Sequence, residues 1–203
     1  MLTPTEAAWL AGFLDADGCI RLSKGAKNSK LNQHSLIPQL LAHNTCVVTL
    51  NRVLILFEKM GALSVTSLRK RCSAQHAKMA NILSLGMKRV EPILREILPY
   101  LVTKRLEAEL MLRFIELRKS RRHRNAPYTA SEYRIYTAMK YLKKSRHLRD
   151  YTPTVEEILD QDIVRTSAKA LEEAEMSSRL TAEQQSARAA KMVWYRKDRT
   201  MPL

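Results

Sequence analysis

The spacing of apolar residues along the chain predicts helices that alternate with pairs of strands. Thr3, Pro4 and Glu6 match a capping box with proline in the first turn, which predicts a helix that begins there and ends within 15–18. The patterns that follow predict a strand at 19–22, a polar turn at 23–33, a strand at 36–42, a helix over 47–61, strands at 63–71 and 76–85 around a turn at 72–75, and helices over 90–98, 104–119 and 130–143.

This order, α-β-β-α-β-β-α-α-α, places the chain in the α+β class. No internal repeat and no Pro- or Gly-rich linker divides the sequence, which contains only five glycines. A second capping box, Thr181–Gln184, predicts one more helix that runs to Lys197. We therefore expect a compact, helix-rich protein.

Composition excludes several classes of protein. Hydrophobic residues make up 45 % of the chain, which excludes a disordered basic tail. Three cysteines, an odd number, favour a reducing intracellular compartment, such as an organelle or a prokaryotic cytoplasm, over a disulfide framework. We see neither a secretory signal nor an uncharged run near the ~18 residues of a membrane span, and we expect no membrane partner.

The distribution of charge favours a nucleic-acid partner. The formal net charge is +15, and residues 1–100 contribute +7, residues 101–150 contribute +9 and residues 151–203 contribute −1. Solvated surface faces are the alternative explanation of such an excess. Because the excess is confined to the first 150 residues, we expect them to form a polyanion-binding surface.

Small residues on the first helix and acidic residues at its end form a candidate site. Ala8, Ala11 and Gly12 recur at spacings of three and four, so one helix face lacks bulk and two copies can pack closely. Such packing would bring Asp15 and Asp17 of each copy near a two-fold axis, where like charges and the helix dipole disfavour carboxylates. A hard divalent cation such as Mg²⁺ would neutralise them. The alternative is tight packing within one chain and a polar helix stop.

The nine residues Leu10–Gly18, LAGFLDADG, resemble the signature of the LAGLIDADG homing endonucleases. The likeness extends from residue 4 to about 159 and includes Pro99–Lys104, which resembles the family's Pro-aromatic-Leu-x-x-Lys segment. One copy of the motif resembles the branch that acts as a homodimer. The resemblance implies an αββαββα core with a curved antiparallel DNA-binding sheet in residues 1–159, and additional helices in a C-terminal extension, 160–203.

The resemblance also implies an activity. The implied protein is an intron-encoded nuclease that recognises a specific DNA sequence. It makes a staggered double-strand break in a long, pseudo-palindromic duplex by Mg²⁺-dependent phosphodiester hydrolysis. Mn²⁺ is expected to substitute for Mg²⁺, and Ca²⁺ is expected to support binding without cleavage. Two alternatives stay open, an intron RNA maturase with an RNA partner and a nucleic-acid-binding protein on the same scaffold that does not cleave.

The same resemblance implies the residues of the centre. Asp17 and the carbonyl oxygen of Ala16 match metal ligands, and Asp15 matches a structural residue at the helix end. Lys104 matches a basic residue near the scissile phosphates, where a cation stabilises developing charge. The alternative for Lys104 is a solvated lysine at the start of a helix.

The positions after the second predicted strand depart from the family pattern. Asn44 and Thr45 are the candidates for positioning a water molecule, beside His43. The family has a basic residue about four positions later, but this chain has Thr49 there and its nearest base is Arg52. The outer part of the catalytic network therefore departs from the pattern that the resemblance implies.

Polar side chains along the predicted strands are candidates for contact with base edges. Alternation places Arg21 and Ser23 on one face of the first strand and apolar residues on the other. Arg suits guanine, and Gln or Asn suits adenine, in the major groove. The alternative is a solvated face of an amphipathic sheet. The candidates are Arg21, Ser23, Lys24, Lys27, Lys30, Gln33, His34 and Gln39 in the first hairpin, and Ser64, Thr66, Arg69, Lys70, Arg71, His76 and Lys78 in the second.

Two dense basic clusters, 118–124 and 143–147, lack strand alternation. Clusters of this kind suit phosphate contacts, which add salt-dependent affinity without sequence information. A targeting signal is the weaker alternative. The candidate phosphate contacts are Arg121, Arg122, Lys143 and Lys144.

Overall fold

A computed structural model of the chain describes residues 1–28, 33–62, 69–71, 80–121, 126–144 and 153–176. The order of its elements confirms the predicted α+β class and the αββαββα core. The elements are α1 (Pro4–Asp17), β1 (Gly18–Asn28), β2 (Gln33–Asn44), α2 (Val47–Lys59), β3 (Arg69–Arg71), β4 (Ala80–Gly86), α3 (Met87–Ile97), a one-turn 3₁₀ helix (Leu98–Tyr100), α4 (Arg105–Lys119), α5 (Ala130–Lys144), α6 (Val155–Leu159) and α7 (162–176).

The four strands form one antiparallel sheet in the order β1-β2-β4-β3. Ile20 lies opposite Leu40, and Arg21 lies opposite Gln39. Ile20 and Leu40 are buried against the helices, whereas Arg21 and Gln39 are partly exposed on the other face. The predicted alternation is therefore confirmed. We call the face that carries Arg21, Ser23 and Gln39 the open face.

One hydrophobic core fixes the sheet to the helices. Leu10 and Leu14 of α1, Phe57 of α2 and Phe114 of α4 are fully buried in it. The same core includes Ile158, Val164 and Ala168 of α6 and α7, so these helices pack on the αββαββα core. The division of the chain at 159/160 stays a prediction. No helix in the described ranges has the length and apolar character needed to cross a membrane.

The first hairpin is longer than the sequence pattern predicts. The predicted turn at 23–33 is wrong, because β1 continues to Asn28 and β2 already begins at Gln33. The pairing shifts between Lys24 and Lys27, which indicates a bulge. Gly25 suits this bulge because a Cβ there would lie 2.3 Å from the hydroxyl oxygen of Ser35. The stretch has no apolar face, so hydrophobic periodicity cannot distinguish it from a loop.

Pro38 lies inside β2, a central strand, although proline cannot donate to a strand ladder. The position tolerates it because the pairing of β2 with β4 begins at Gln39, so Pro38 lies beyond the end of β4. Two residues before Pro38 in β2, where β4 is no longer present, the side chain of Tyr128 supplies the hydrogen-bond partner instead. Its hydroxyl accepts from the backbone amide of Leu36 (2.8 Å) and donates to the carbonyl of Leu36 (3.3 Å).

Candidate metal centre and nucleic-acid interface

The C-terminal end of α1 is fixed to the segment that precedes α4. The carboxylate of Asp15 accepts hydrogen bonds from the amides of Val102 (2.7 Å) and Lys104 (2.9 Å) and from the hydroxyl of Thr103 (3.0 Å). Donors from the same chain thus occupy both carboxylate oxygens. Sequence patterns gave no sign of the part that Val102 and Thr103 play, because the partners lie almost 90 residues apart.

Lys104 lies beside the same helix end. Its ammonium donates to the carbonyl oxygens of Leu14 (2.8 Å) and Asp15 (2.5 Å). These carbonyls belong to the last turn of α1, where the helix dipole is negative. A cation at this place stabilises the end of α1. The catalytic assignment of Lys104 stays a prediction, and these contacts give it a structural function as well.

Asp17, the last residue of α1, is exposed and held by one contact from β2. Its Oδ2 accepts a hydrogen bond of 2.8 Å from the side-chain nitrogen of Asn44. The Asn44 oxygen accepts from the amide of Cys46 (2.7 Å), so the nitrogen of that side chain is turned toward Asp17. The start of α2 therefore orients the Asp17 carboxylate through Asn44.

Gly18 makes the abrupt change from α1 to β1 sterically possible. Its amide donates to the carbonyl of Leu14, and a Cβ on Gly18 would lie 2.5 Å from that oxygen and 2.7 Å from the Leu14 Cα. Both neighbours are backbone atoms, which cannot move aside without moving α1. Any larger residue would therefore displace Asp17 from the start of the strand.

The oxygen atoms at this place suit a hard divalent cation. The Asp17 carboxylate is exposed, and the Ala16 carbonyl belongs to the last turn of α1, which leaves such carbonyls without helical partners. Among the described residues, no group of three or more His, Cys, Asp or Glu side chains could hold a metal ion. One copy of the chain therefore offers a partial ligand set, which water, DNA phosphates or a second copy would complete.

One face of α1 is exposed and has little bulk. Ala8 and Gly12 lie on it beside Trp9, which is 41 % exposed and stacks on Phe13 with ring centroids 5.9 Å apart. The assignment of Ala11 to this face is wrong. Ala11 is fully buried in the core with Leu10 and Leu14, because it lies at the edge where this face turns toward the core.

The open face of the sheet carries some of the predicted DNA-contacting residues. Arg21 donates through Nε to the side-chain oxygen of Gln39 (3.0 Å), and Ser23 donates to the carbonyl of Ile37 (3.4 Å). Lys24 does not share this face: it lies opposite Leu36 in register, on the helix side, and its ammonium is 3.6 Å from the Glu175 carboxylate of α7. The sequence pattern placed Lys24 in the predicted turn as a DNA contact. That placement was wrong, because β1 continues through Lys24 and alternation turns its side chain to the helix side.

The remaining candidates on the sheet are placed less completely. Lys27 is exposed, and the ring Nδ1 of His34 lies 3.0 Å from the carbonyl of Gly25. The strands include the backbone of Gln33 and of Arg69–Arg71. The candidates outside the described residues are Lys30, Ser64, Thr66, His76, Lys78 and Arg122.

Comparison with known proteins agrees with this geometry. No protein-family profile matches the chain. Over 109 residues it is 32 % identical to the DNA endonuclease I-CvuI of Chlorella vulgaris, a match that covers 54 % of this chain and 63 % of that protein. The motif Leu10–Gly18 lies at the end of α1, as the resemblance implied.

The chain is similar in sequence to a DNA endonuclease and in fold to the LAGLIDADG homing endonucleases.

Solved structures of LAGLIDADG proteins share its fold. The LAGLIDADG homing endonuclease I-GzeII in complex with its DNA target matches with a TM-score of 0.50 at 14 % identity, over 71 % of this chain and 48 % of that one. A mutant of I-SmaMI matches with a TM-score of 0.52 at 16 % identity, over 76 % and 50 %. The structure of I-CvuI with its DNA target in the presence of Ca is less similar, with a TM-score of 0.46 at 20 % identity over 82 % of this chain and 94 % of that one.

The departure from the LAGLIDADG pattern after β2 has a structural counterpart. Arg52, the nearest base, lies 3.6 Å from the carboxylate of Glu6 on α1, which also accepts a 2.6 Å hydrogen bond from Lys59. Lys59, chiefly, lowers the pKa of Glu6 to about 2. Thr49 hydrogen-bonds the thiol of Cys46, which lowers the pKa of that thiol. Both residues thus have partners within the chain, and Thr45 is exposed between β2 and α2.

The two basic clusters differ in what their side chains contact: residues of the first pair with groups inside the fold, whereas Lys143 and Lys144 of the second are exposed. Arg121 donates to the carbonyl of Pro127 and lies 3.3 Å from the fully buried carboxylate of Glu132, which Arg118 also contacts at 3.3 Å. Assigning Arg121 to phosphate contact was wrong in this structure, because a buried carboxylate requires cationic partners. Thr129 and Glu132 also form a capping box at the start of α5, a pattern that the sequence shows but that does not reveal the burial of the Glu132 carboxylate or its arginine partners.

Lys143 and Lys144, at the end of α5, face outward. The ammonium of Lys143 lies 3.3 Å from the Cys19 sulfur, and Cys19 has the same alternation as Arg21 on β1. Lys143 therefore lies at the margin of the open face, and Lys144 is exposed one residue later. Both positions suit the contact with phosphates that the sequence predicted, which stays a prediction.

Proposed function

We propose that this protein is a sequence-specific homing endonuclease. As a homodimer, it would make a staggered double-strand break in a long, pseudo-palindromic DNA target by Mg²⁺-dependent phosphodiester hydrolysis. The observation that carries the proposal is the exposed Asp17 carboxylate, which Asn44 orients at the point where α1 meets the open face. The likeness to I-CvuI, which is described as a DNA endonuclease, supports it.

In this proposal, Asp17 and the Ala16 carbonyl hold the divalent ion, while Asn44 keeps the carboxylate in one orientation. The chemistry that Mg²⁺ supplies when bound is a water of lowered pKa and neutralisation of the charge that develops on the leaving oxygen. Lys104 keeps the end of α1 in place through its two carbonyl contacts. The open face contacts base edges, and Lys143 contacts the backbone.

The exposed face of α1 supports the homodimer. A Cβ on Gly12 would meet nothing within 4 Å, so nothing within the described chain requires glycine there. A glycine inside a helix nevertheless costs about 1 kcal/mol relative to alanine. Close packing of a second copy of α1 against Ala8 and Gly12 would explain why glycine is present despite that cost. A two-fold axis beside α1 would bring the two Asp17 side chains together and place one on each DNA strand.

The decisive experiment selects cleaved sites from a randomised duplex library. We expect the protein to cut a two-fold-related subset with Mg²⁺ or Mn²⁺ and to retain, without cutting, the same subset with Ca²⁺. Asp17→Asn should abolish cleavage and leave retention in Ca²⁺ nearly unchanged. The matched control is Glu58→Gln, which neutralises an exposed carboxylate on α2, away from the Asp17 site, and should cut normally. Normal cutting by Asp17→Asn would contradict the assignment of the ligand.

The second candidate function is nucleic-acid binding without cleavage, including the binding of intron RNA as a maturase. The pairing of Arg52 with Glu6 favours it, because the only base near the family's second basic position is engaged within the chain. The library experiment separates the two functions. Retention of duplexes without cutting in any divalent ion would favour the binder, and retention of structured RNA alone would favour the maturase.

A further inference from the structure

The open face carries one pair of side chains that is organised before any ligand arrives. Arg21 of β1 and Gln39 of β2 lie directly opposite each other in register, and Nε of Arg21 donates to Oε1 of Gln39 over 3.0 Å. Both side chains are partly exposed, on the face away from the helices. Elsewhere in the described part of the chain, neither side chain has another hydrogen-bond partner.

This single contact determines which hydrogen-bonding groups remain for a ligand. The Arg21 guanidinium retains its two terminal amines, a planar fork of donors. The Gln39 oxygen accepts from Arg21 and is turned toward the guanidinium, which leaves the amide nitrogen of Gln39 as another donor for a ligand. The pair therefore presents chiefly donors, although glutamine taken singly offers a donor and an acceptor equally.

A pair that presents chiefly donors selects among base edges in a major groove. Guanine presents two acceptors, N7 and O6, which match the guanidinium fork. Bidentate recognition of adenine by glutamine needs the glutamine oxygen directed at the adenine amino group, whereas the Gln39 oxygen is directed at Arg21. The usual preference of glutamine for adenine is thus weakened here, and guanine, which presents two acceptors, is preferred over cytosine, which presents a donor.

We propose that Arg21 and Gln39 form one recognition unit that selects guanine in each half of the DNA target, with Gln39 as the positioning residue that fixes the Arg21 fork. This inference rests on the proposed binding of duplex DNA across the open face. Arg21 follows Asp17 by four residues, about 13 Å of strand. At 3.4 Å per base pair, the selected guanine lies about four base pairs from the scissile phosphate of its half-site.

The test measures base preference by retention of a randomised duplex library in Ca²⁺, so that cleavage does not enter the readout. Wild-type protein should enrich guanine over other bases about 5- to 150-fold at one position in each half-site. Arg21→Lys retains the charge without the fork and should lose most of that enrichment. Arg113→Ala, which removes an exposed cation paired with Glu156 on the helix side, is the matched control and should preserve it.

Variants of Gln39 separate positioning from direct contact. Gln39→Ala should weaken the guanine enrichment even though Arg21 is intact, because the fork loses its support. Gln39→Glu should preserve the enrichment, since a carboxylate accepts from Nε at least as well, while overall affinity falls through repulsion of phosphates. Unchanged enrichment in Gln39→Ala, or equal loss in both variants, would overturn the positioning role.

The outcomes also separate this inference from the proposed function. A wild-type protein that enriches no duplex sequence at all would contradict DNA recognition itself. Enrichment of a two-fold-related sequence in which no guanine responds to Arg21→Lys would contradict only the Arg21–Gln39 unit.

Discussion

The substitution Glu132→Ala, which removes a buried carboxylate, should destabilise the protein strongly. Glu132 is fully buried and accepts from the amide and the hydroxyl of Thr129 at 2.7 and 2.9 Å, while Arg118 and Arg121 each lie 3.3 Å away. Truncation leaves Arg118, whose side chain is 11 % exposed, without its carboxylate. Breaking a buried ion pair in this way costs about 3–5 kcal/mol. For a chain of this length, that is a fall of roughly 6–20 °C in Tm.

The measurement is urea and thermal unfolding of Glu132→Ala beside the matched control Glu156→Ala. Glu156 is 70 % exposed and pairs with Arg113 at 2.8 Å, so its loss should cost at most about 1 kcal/mol. Equal unfolding midpoints for the two variants would refute the reasoning.

Arg121→Ala should likewise lower the stability of the protein, and it should leave the salt dependence of DNA binding unchanged. If Arg121 contacted a phosphate, its loss would instead reduce the slope of log affinity against log salt concentration by about one.

Three further predictions concern the centre and α1. Asn44→Ala should slow cleavage about 10- to 100-fold in single-turnover assays, because Asp17 loses its orienting partner, with DNA retention in Ca²⁺ nearly unchanged. Gly18→Ala should lower the free energy of unfolding by about 1–3 kcal/mol in urea titrations, because its Cβ meets Leu14 backbone atoms. In the folded protein the pKa of Glu6 is lowered from 4.5 to about 2, so its ionised carboxylate stabilises the fold. Above pH 4.5, the urea midpoint of the wild type should therefore be higher than that of Glu6→Gln. The difference should disappear as the pH falls toward 2.

Features that depend on neighbours in sequence were predictable. The capping box of Thr3 and Glu6 is present with both of its hydrogen bonds. Gly61 lies at the predicted end of α2, and its φ of 75° is the left-handed conformation that favours glycine after a helix. The burial of Ile20 and Leu22 follows from alternation along one strand. In each case, the physical cause lies within a few residues.

Features that depend on partners distant in sequence were not predictable. Arg121 belongs to a basic run, but the buried carboxylate of Glu132 decides where its side chain lies. The partner that Lys24 meets on the helix side, Glu175 of α7, lies about 150 residues later in the chain. Ala11 matches the small-residue pattern, yet the rotation of α1 against the core buries it. Composition cannot distinguish a cation that serves the fold from one that serves a ligand.

The length of β1 determines how many base pairs the proposed DNA interface would contact. β1 contains 11 residues, which extend about 36 Å. At 3.4 Å per base pair, one strand spans about ten base pairs, so two copies related by a two-fold axis would cover about twenty. Near its tip, the hairpin is two strands wide, and Tyr128 fixes its flank at Leu36. Each pair of residues inserted or deleted between Leu36 and the tip of the hairpin should therefore add or remove about one outer base pair of the target. The central base pairs should stay the same.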